Sequence, residues 1–538
     1  MNKNSVTGLL AALLRPDQVR NADEAQALYP CPSSIRTTII GVAYPESTQD
    51  VQKLVRFAND AEVALYPLST GNNWGYGGGH PVKPHSLIVD MGRLNKILGF
   101  DAELGIVTLE PGVSQMQLYD FLKANKAEFY VPVTGSNPGC SLIGNALERG
   151  YGVTPVTDHF AGMISLKSVL PDGSIYEGPA HQLAIGTGSD TDMYLKGLFS
   201  QGNFGIVLSA SLSLSARAQT HTVIMFGADR VDQVSRFINM SRQLLLENPN
   251  VVTSVKFFNL AYSVALNEDF PAEEYAKPDF DAQAWLKRVG HEQKLPVWMS
   301  MVFIGGPEAV VRNMTKVYKR RLRPFASHMI VFTPRLINLM RAGRAVLQPV
   351  AAFKKLVAKL DSMIALFELM DGKPQSRFLK TAYWRAGTFP QESRKANPGR
   401  DGAGLIWFAP IIPFRGEDLL RFDDIVRVVC AKYKFMPVIS VTTISDRALS
   451  ALVPILFDPA SDEAERAHAC YAELFATCQA SGYLPYRGHV HHLDRYANPS
   501  ASKFWQAAQL LKNKLDPQKI MAPGRYDGVP AEQKKVKS

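Results

Sequence analysis

The segment Tyr66-Pro-Leu-Ser-Thr-Gly-Asn-Asn-Trp-Gly-Tyr-Gly-Gly-Gly79 constrains this chain more than any other. A short apolar run leads into a loop that is rich in glycine. Only glycine takes positive φ without penalty, so such a loop belongs where backbone turns tightly and approaches a ligand. Successive amides in the turn form a concave nest for a phosphate, with Ser69, Asn72 and Asn73 adding side-chain donors. The spacing excludes two common nucleotide motifs. From Gly75 and Gly77, a G-x-G-x-x-G fingerprint needs glycine where His80 stands, and no G-x-x-x-x-G-K-[ST] occurs. A ligand-free hairpin loop is the competing reading of this segment alone.

A second segment, Asn137 to His159, repeats the theme. It clusters Gly139, Ser141 and Gly144, then places Asn145, Arg149 and a Gly150/Gly152 turn. Two such loops on one scaffold can clamp the two phosphates of a dinucleotide from opposite sides. A third stretch, Ser200 to Val207, sets Gly205 before the β-branched pair Ile206-Val207, as expected where backbone lies against a flat ring. The run Ile520 to Gly524 (IMAPG) is a rigid turn of the same type.

Between these loops, Ala64–Pro67, Ser86–Asp90 and Gly105–Glu110 read as strands. Asp50–Ala58 and Ser114–Asn125 carry helical stripes, Val51/Leu54/Val55/Ala58 and Leu118/Phe121/Leu122. After Arg217 the texture changes to longer helical patterns mixed with strands, and compact strand-and-turn character returns at Gly482. The expected organisation is therefore α+β: a first domain over 1–216, an inserted domain over 217–482, and a segment 483–538 returning to the first. No apolar run has transmembrane length, and GLLAALL (Gly8–Leu14) is followed by Arg15-Pro16 with no signal cleavage site. Five scattered cysteines exclude a disulfide framework and point to a reducing cytoplasm.

The motif set resembles, in order and spacing, the FAD-binding domain of the vanillyl-alcohol oxidase and p-cresol methylhydroxylase flavoprotein family. The similarity is dense over 63–207 and resumes at Ile406–Ile411 (IWFAPI), Gly416-Glu-Asp418 and Tyr486–Gly524. The resemblance implies a two-lobed FAD-binding domain of the p-cresol methylhydroxylase type with an inserted α+β cap. It implies FAD held by Pro67, Ser69, Thr70, Gly71, Asn72, Asn73 and Tyr76 of the first loop. From the later segments it adds Ser141, Gly144, Asn145, Arg149, Gly150 and Thr154, then Gly205, Ile206 and Val207, and Arg525 near the C-terminus. It also implies oxidation of a small para-substituted phenol, a 4-alkylphenol or 4-hydroxybenzylic alcohol, and a homodimer. In the family pattern the phenolate is held by Tyr76, Tyr486 and Arg487, and Asp158 stands by the reactive flavin nitrogen as acid/base. Those residue types suit the chemistry: two hydroxyls and a permanent cation favour an ionised phenol, whose charge delocalises into a quinone methide as hydride leaves. Structural readings compete: Tyr76 packing on the loop, Arg487 on a cofactor phosphate, Asp158 in an ordinary turn.

One departure concerns the covalent tether. Aligned on the family's pattern, Ile444–Phe457 puts Ala451 where a flavin-linking histidine stands, and no histidine occurs between His328 and His468. A histidyl link from that region is therefore not expected. Tyr383 is a loose candidate for a tyrosyl link, dissociable FAD is the alternative, and Cys140 reads as a small loop residue. Gly488-His-Val-His-His492 looks metal-like but lacks further converging ligands, so no metal is expected. His489 is expected to line the cavity, and Asp516-Pro517 with Lys519 to form a surface turn.

Net charge is +10, but 309–360 holds twelve Lys/Arg and no acid, leaving about −2 for the rest. Charge confined in this way, without base-stacking modules, argues against nucleic acid. Interleaved with Leu322, Phe325, Met329–Phe332, Leu336, Leu339 and Met340, the block suits an anionic membrane surface or an electron-accepting partner. Two other functions stay open on sequence: an FAD enzyme of 2-hydroxy acids or sugar alcohols, and a membrane-docked flavin subunit that transfers electrons.

Overall fold

The computed structural model describes residues 3–155, 158–178, 195–390 and 396–527. Three sheets organise it. In the first, Ile39–Ala43, Ser86–Asp90 and Leu65–Leu68 run parallel, with Val19–Arg20 antiparallel at one edge. Parallel neighbours need a crossover, and the helix Thr48–Ala61 supplies it. Ser47 caps it through Oγ, which accepts from the Asp50 amide at 3.1 Å, and Glu62 ends it in the left-handed region. The expected stripe Val51, Leu54, Val55 and Ala58 is fully buried against the sheet.

The second sheet is five-stranded and antiparallel, ordered Ile97–Asp101, Ile106–Leu109, Ile206–Ser213, Met163–Val169, Ile175–Glu177. The helix Gln115–Ala124 packs Leu118 and Leu122 into its core. The chain then enters a nine-stranded sheet built from Thr220 to Pro485, with helices Val231–Glu247, Gly416–Lys432 and Glu463–Ala480 burying its far face. At the end the chain returns: the Leu65 amide donates to Ile520 O at 2.7 Å, and the Ala522 amide to Leu65 O at 2.8 Å.

This return is locked by a buried ion pair, which corrects the surface reading of Asp516. Its carboxylate accepts from Lys512 Nζ at 2.6 Å and from the Ile520 and Met521 amides at 3.0 and 2.9 Å. Lys512 also donates to the carbonyls of Asn203 and Met521, so both charges are fully satisfied inside the protein. Lys519, in the left-handed region, does lie in the turn beside it.

The basic block forms the helix Glu308–Leu322, the strand His328–Phe332, the helix Pro334–Leu347 and the start of Lys354–Met370. Acids from beyond the block pair with three of its arginines: Arg321 with Glu247, Arg341 with Glu368 and Arg344 with Asp361. Leu322 and Phe332 are buried, whereas Ile330, Leu339, Val346, Val350, Phe353 and Leu356 are exposed. Among the described residues no helix is long and apolar enough to cross a membrane.

Candidate active site

The glycine loop follows the strand Leu65–Leu68. Gly71 turns at φ +68°, a short 3-10 turn over Trp74–Tyr76 follows, and Gly77 at φ +113° closes it. At Gly75 a side chain is excluded: a Cβ there would lie 2.1 Å from the Trp407 ring of the cap. Tyr76 is thereby buried between the loop and the strand Gly404–Phe408, its ring edge-on to Trp407 at 5.5 Å. The second loop leads into the short helix Leu142–Leu147. Its cap Ser141 accepts from the Gly144 amide at 2.9 Å and donates to Pro111 O at 2.6 Å. The Ser141 amide donates to Thr70 Oγ1 at 3.1 Å, so the two loops are joined. A Cβ on Gly144 would come within 2.2 Å of Ser69 Oγ, which fixes how closely they meet.

Between these loops and the cap sheet lies a cavity of about 390 Å³. The FAD-type lobes contribute Pro67 to Asn73, Tyr76, Ser141, Gly144, Asn145, Gly150, Gly205 to Val207 and Arg525. The cap contributes Lys256, Tyr262, Thr381, Trp407, Ser440, Thr442 and Ser450, and Tyr486 and Arg487 stand between. The lining therefore joins residues more than 400 positions apart.

Its charges are few. Glu148, the one carboxylate among the lining residues, sits between Arg487 (Nε to Oε2, 3.2 Å) and Arg525. Burial alone would raise the Glu148 carboxyl, but the two guanidiniums hold it below the ordinary range. Arg525 also donates to Tyr66 Oη at 2.8 Å. Arg487 Nη2 donates to Asn73 Oδ1 at 2.6 Å, and its guanidinium carbon lies 4.4 Å from the Tyr76 ring centre. Two cations against one anion leave this corner with a net charge of +1. Burial, then the neighbouring Tyr486, push the Tyr76 phenol well above its ordinary pKa, so it stays a hydrogen-bond donor. Tyr486 in turn meets Tyr151 edge-on at 5.1 Å.

Lys256 is a third cation in the cavity. Among the described residues it forms no ion pair or hydrogen bond, and burial pushes its ammonium pKa down to about 8. The donor set fits an anionic dinucleotide: hydroxyls and amides of Ser69, Thr70, Asn72, Ser141 and Asn145 line one part of the cavity. Both Gly144 and Gly205, where a Cβ would lie 2.7 Å from Val169 O, are held to glycine by close packing against the protein itself, and both line the cavity.

Most residues expected from the sequence converge here, but several do not. Arg149 and Thr154 are absent from the lining; Arg149 stacks on Phe160 at 4.7 Å, and Thr154 is buried. Asp158 does not line the cavity either. Its carboxylate caps a turn, accepting from the Phe160 and Ala161 amides at 3.0 and 3.2 Å, with Arg149 at 3.9 Å. Residues 156 and 157 of that motif lie outside the described residues. Ala451 faces the cap core, whereas Ser450 and Leu452 face the cavity, so position 451 lies on the wrong face of its strand to carry a flavin tether. Tyr383 donates to Asp401 at 2.7 Å inside an apolar cluster and does not line the cavity. Cys140 does line it, with burial raising its thiol pKa. His489, expected to line the cavity, is instead buried beside His468, His491, His492 and Tyr471, at the start of a 3-10 turn over Val490–His492. Among the described residues no cluster of His, Cys, Asp or Glu could hold a metal. Sequence reasoning missed Glu148 and Lys256; Glu148 lies beside Arg149, but nothing local marks its partners.

A family model described as an FAD binding domain matches residues 39–178. The chain is 30% identical over 513 residues to 1'-carboxy-chondrochloren decarboxylase of Chondromyces crocatus, covering 91% of this chain and 90% of that protein. It is 24% identical to the 4-cresol dehydrogenase (hydroxylating) flavoprotein subunit of Pseudomonas putida, covering 89% and 86%. A solved structure of 4-ethylphenol oxidase from Gulosibacter chungangensis in complex with isoeugenol superposes with a TM-score of 0.83 at 21% identity, covering 98% and 97%.

Proposed function

Because the chain belongs to the p-cresol methylhydroxylase-type family of FAD-dependent oxidoreductases, we propose that it oxidises a para-substituted phenol bound as its phenolate. The observation that carries this reading is the Tyr76–Tyr486–Arg487 corner with its surplus positive charge. A phenol oxygen placed there meets a phenolic donor and a guanidinium, both of which favour the ionised form. Asn73 and Glu148 fix the Arg487 fork, and Trp407 presses Tyr76 from the cap side. Bound FAD supplies the two-electron acceptor for hydride from the benzylic carbon, the first carbon of the chain attached para to that oxygen. Ionisation matters because the phenolate donates charge through the ring to that carbon, so the product of hydride loss is a neutral quinone methide. The apolar walls, Trp407, Phe378 and Leu379, keep bulk water away from the electron-poor ring. The 4-cresol and 4-ethylphenol enzymes, by their names, support the same substrate class for this chain.

The Chondromyces relative adds a second fate for the quinone methide. The observation in its favour is a higher identity over a slightly larger share of the chain than for the cresol enzyme. Where the para chain carries a carboxylate one carbon beyond the benzylic position, the C–C bond to the carboxylate breaks and CO2 leaves. Its electron pair then restores the aromatic phenolate as a vinylphenol. The test is anaerobic mixing of holoenzyme with 4-alkylphenols and with their O-methyl ethers. The flavin should bleach with the phenols only; bleaching by both, or by neither, would refute the reading.

A further inference from the structure

The cap face of the cavity carries a polar row that this chemistry does not use. Lys256 lies at the centre of the strand Val252–Asn259, and its neighbours Val255 and Phe257 point into the cap core. Lys256 therefore points the other way, into the cavity. Register places Thr442 directly beside Lys256, and Ser450 directly beside Thr442. Strands in a sheet lie about 4.8 Å apart, so the ammonium and the two hydroxyls form one continuous row of donors. All three line the cavity.

Among the described residues the Lys256 ammonium meets no ion-pair or hydrogen-bond partner. The one carboxylate among the lining residues, Glu148, is taken by Arg487 and Arg525. An ammonium enclosed without a counter-charge is costly to keep, and apolar side chains of similar size would cost less. Lys256 on this face is explained if an anion arrives with the ligand. The geometry must also suit that anion. A carboxylate accepts on two oxygens and can take the ammonium on one while a hydroxyl serves the other.

We propose that the Lys256–Thr442–Ser450 row receives a carboxylate on the substrate, making the preferred substrate a 4-hydroxyphenyl compound whose para chain ends in a carboxylate. This rests on the phenol reading for the other end of the molecule. The phenolate is held at Arg487 and the carboxylate at Lys256, so the substrate is a dianion spanning two cationic points. Arg487 is then the determinant of reactivity, and Lys256 that of selectivity. The depressed ammonium is consistent with this: a bound carboxylate restores its protonated form, so affinity should fall once pH rises above about 8 in the free enzyme.

The test compares 3-(4-hydroxyphenyl)propanoate with 4-ethylphenol on holoenzyme, in wild type and Lys256→Met, reading kcat/KM for flavin reduction. Wild type should favour the carboxylate, and Lys256→Met should lower that preference about 10- to 100-fold, as for the loss of a charge-assisted hydrogen bond. Lys256→Arg should restore part of it. A preference ratio unchanged in Lys256→Met overturns the proposal while leaving phenol oxidation intact. If neither compound reduces the flavin, the phenol reading fails, and Lys256 is judged by titrating 3-phenylpropanoate against the flavin spectrum. Binding weakened at least tenfold in Lys256→Met then keeps the carboxylate site, and equal binding removes it. A changed flavin spectrum in ligand-free Lys256→Met, with equal loss for both phenols, would reassign the ammonium to the cofactor.

Discussion

Replacing Arg487 by methionine tests how the site ionises its substrate. In the wild type the corner holds Arg487, Arg525 and Glu148, a net +1; in Arg487→Met it is neutral. A unit charge about 4 Å from a phenolate oxygen contributes on the order of 4 kcal/mol at an effective dielectric near 20. Protein relaxation and the nearby Glu148 reduce that, so the bound phenol's pKa should rise by about 1–3. The sign follows from the reacting form. Only the phenolate gives up hydride readily, so the rising limb of flavin reduction against pH moves to higher pH by the same amount. At a fixed pH below that limb, the rate should fall about tenfold for every pH unit by which the limb has moved. Anaerobic stopped-flow reduction from about pH 6 to about pH 10, with FAD content measured alongside, reads this directly. Arg487→Lys keeps the charge and loses the fork to Asn73 and Glu148, so its limb should stay near wild type while its rate falls. A uniform rate loss in Arg487→Met with no displaced limb would refute the electrostatic argument, and loss of FAD would assign Arg487 to the cofactor.

Three further outcomes follow from the packing. Gly75→Ala drives a Cβ into the Trp407 ring at 2.1 Å, so it should separate cap from loop and raise KM for phenol; an unchanged KM would show that Trp407 yields freely. Asp516→Asn leaves Lys512 buried beside a neutral partner and should destabilise the fold by about 3–5 kcal/mol, read from denaturant unfolding of the holoenzyme; a loss under about 1 kcal/mol would contradict the lock on the C-terminal return. Burial lowers His159 to about 4 and His492 to about 3, with His468 and His489 also depressed. Depressed histidines bind protons more readily when unfolded, so stability is complete above the ordinary histidine pKa and is lost as pH falls from about 6.5 toward 3. Melting temperature should drop over that window, less steeply in His492→Asn; a flat profile would refute it.

The FAD-type half of the site was legible because its signals are local. Glycines, serines and asparagines announce backbone that approaches a ligand, and their loops need only short-range turns to form. Tyr486 and Arg487 could be placed only through the family pattern, since 410 and 411 positions separate them from Tyr76. The cap half was not legible. Whether Lys256 faces the core or the cavity depends on its register with Thr442, and Ala451 and Ser450 exchange faces with a one-residue slip. Glu148 looks like a surface acid until Arg487 and Arg525, distant in the chain, reach it; Asp516 has its partner Lys512 only four positions away, and what buries the pair is the distant Asn203 carbonyl that Lys512 also reaches. Asp158 shows the converse: a residue expected by the flavin has its carboxylate engaged in its own turn, outside the cavity lining.

The most direct measurement is the ultraviolet difference spectrum of holoenzyme at neutral pH with phenol itself, which has no oxidisable para carbon. The account predicts that the bound ligand shows phenolate absorption well below the pH at which phenol ionises in water, and that Arg487→Met abolishes it. A bound ligand that remains a neutral phenol in the wild type would contradict the account at its centre.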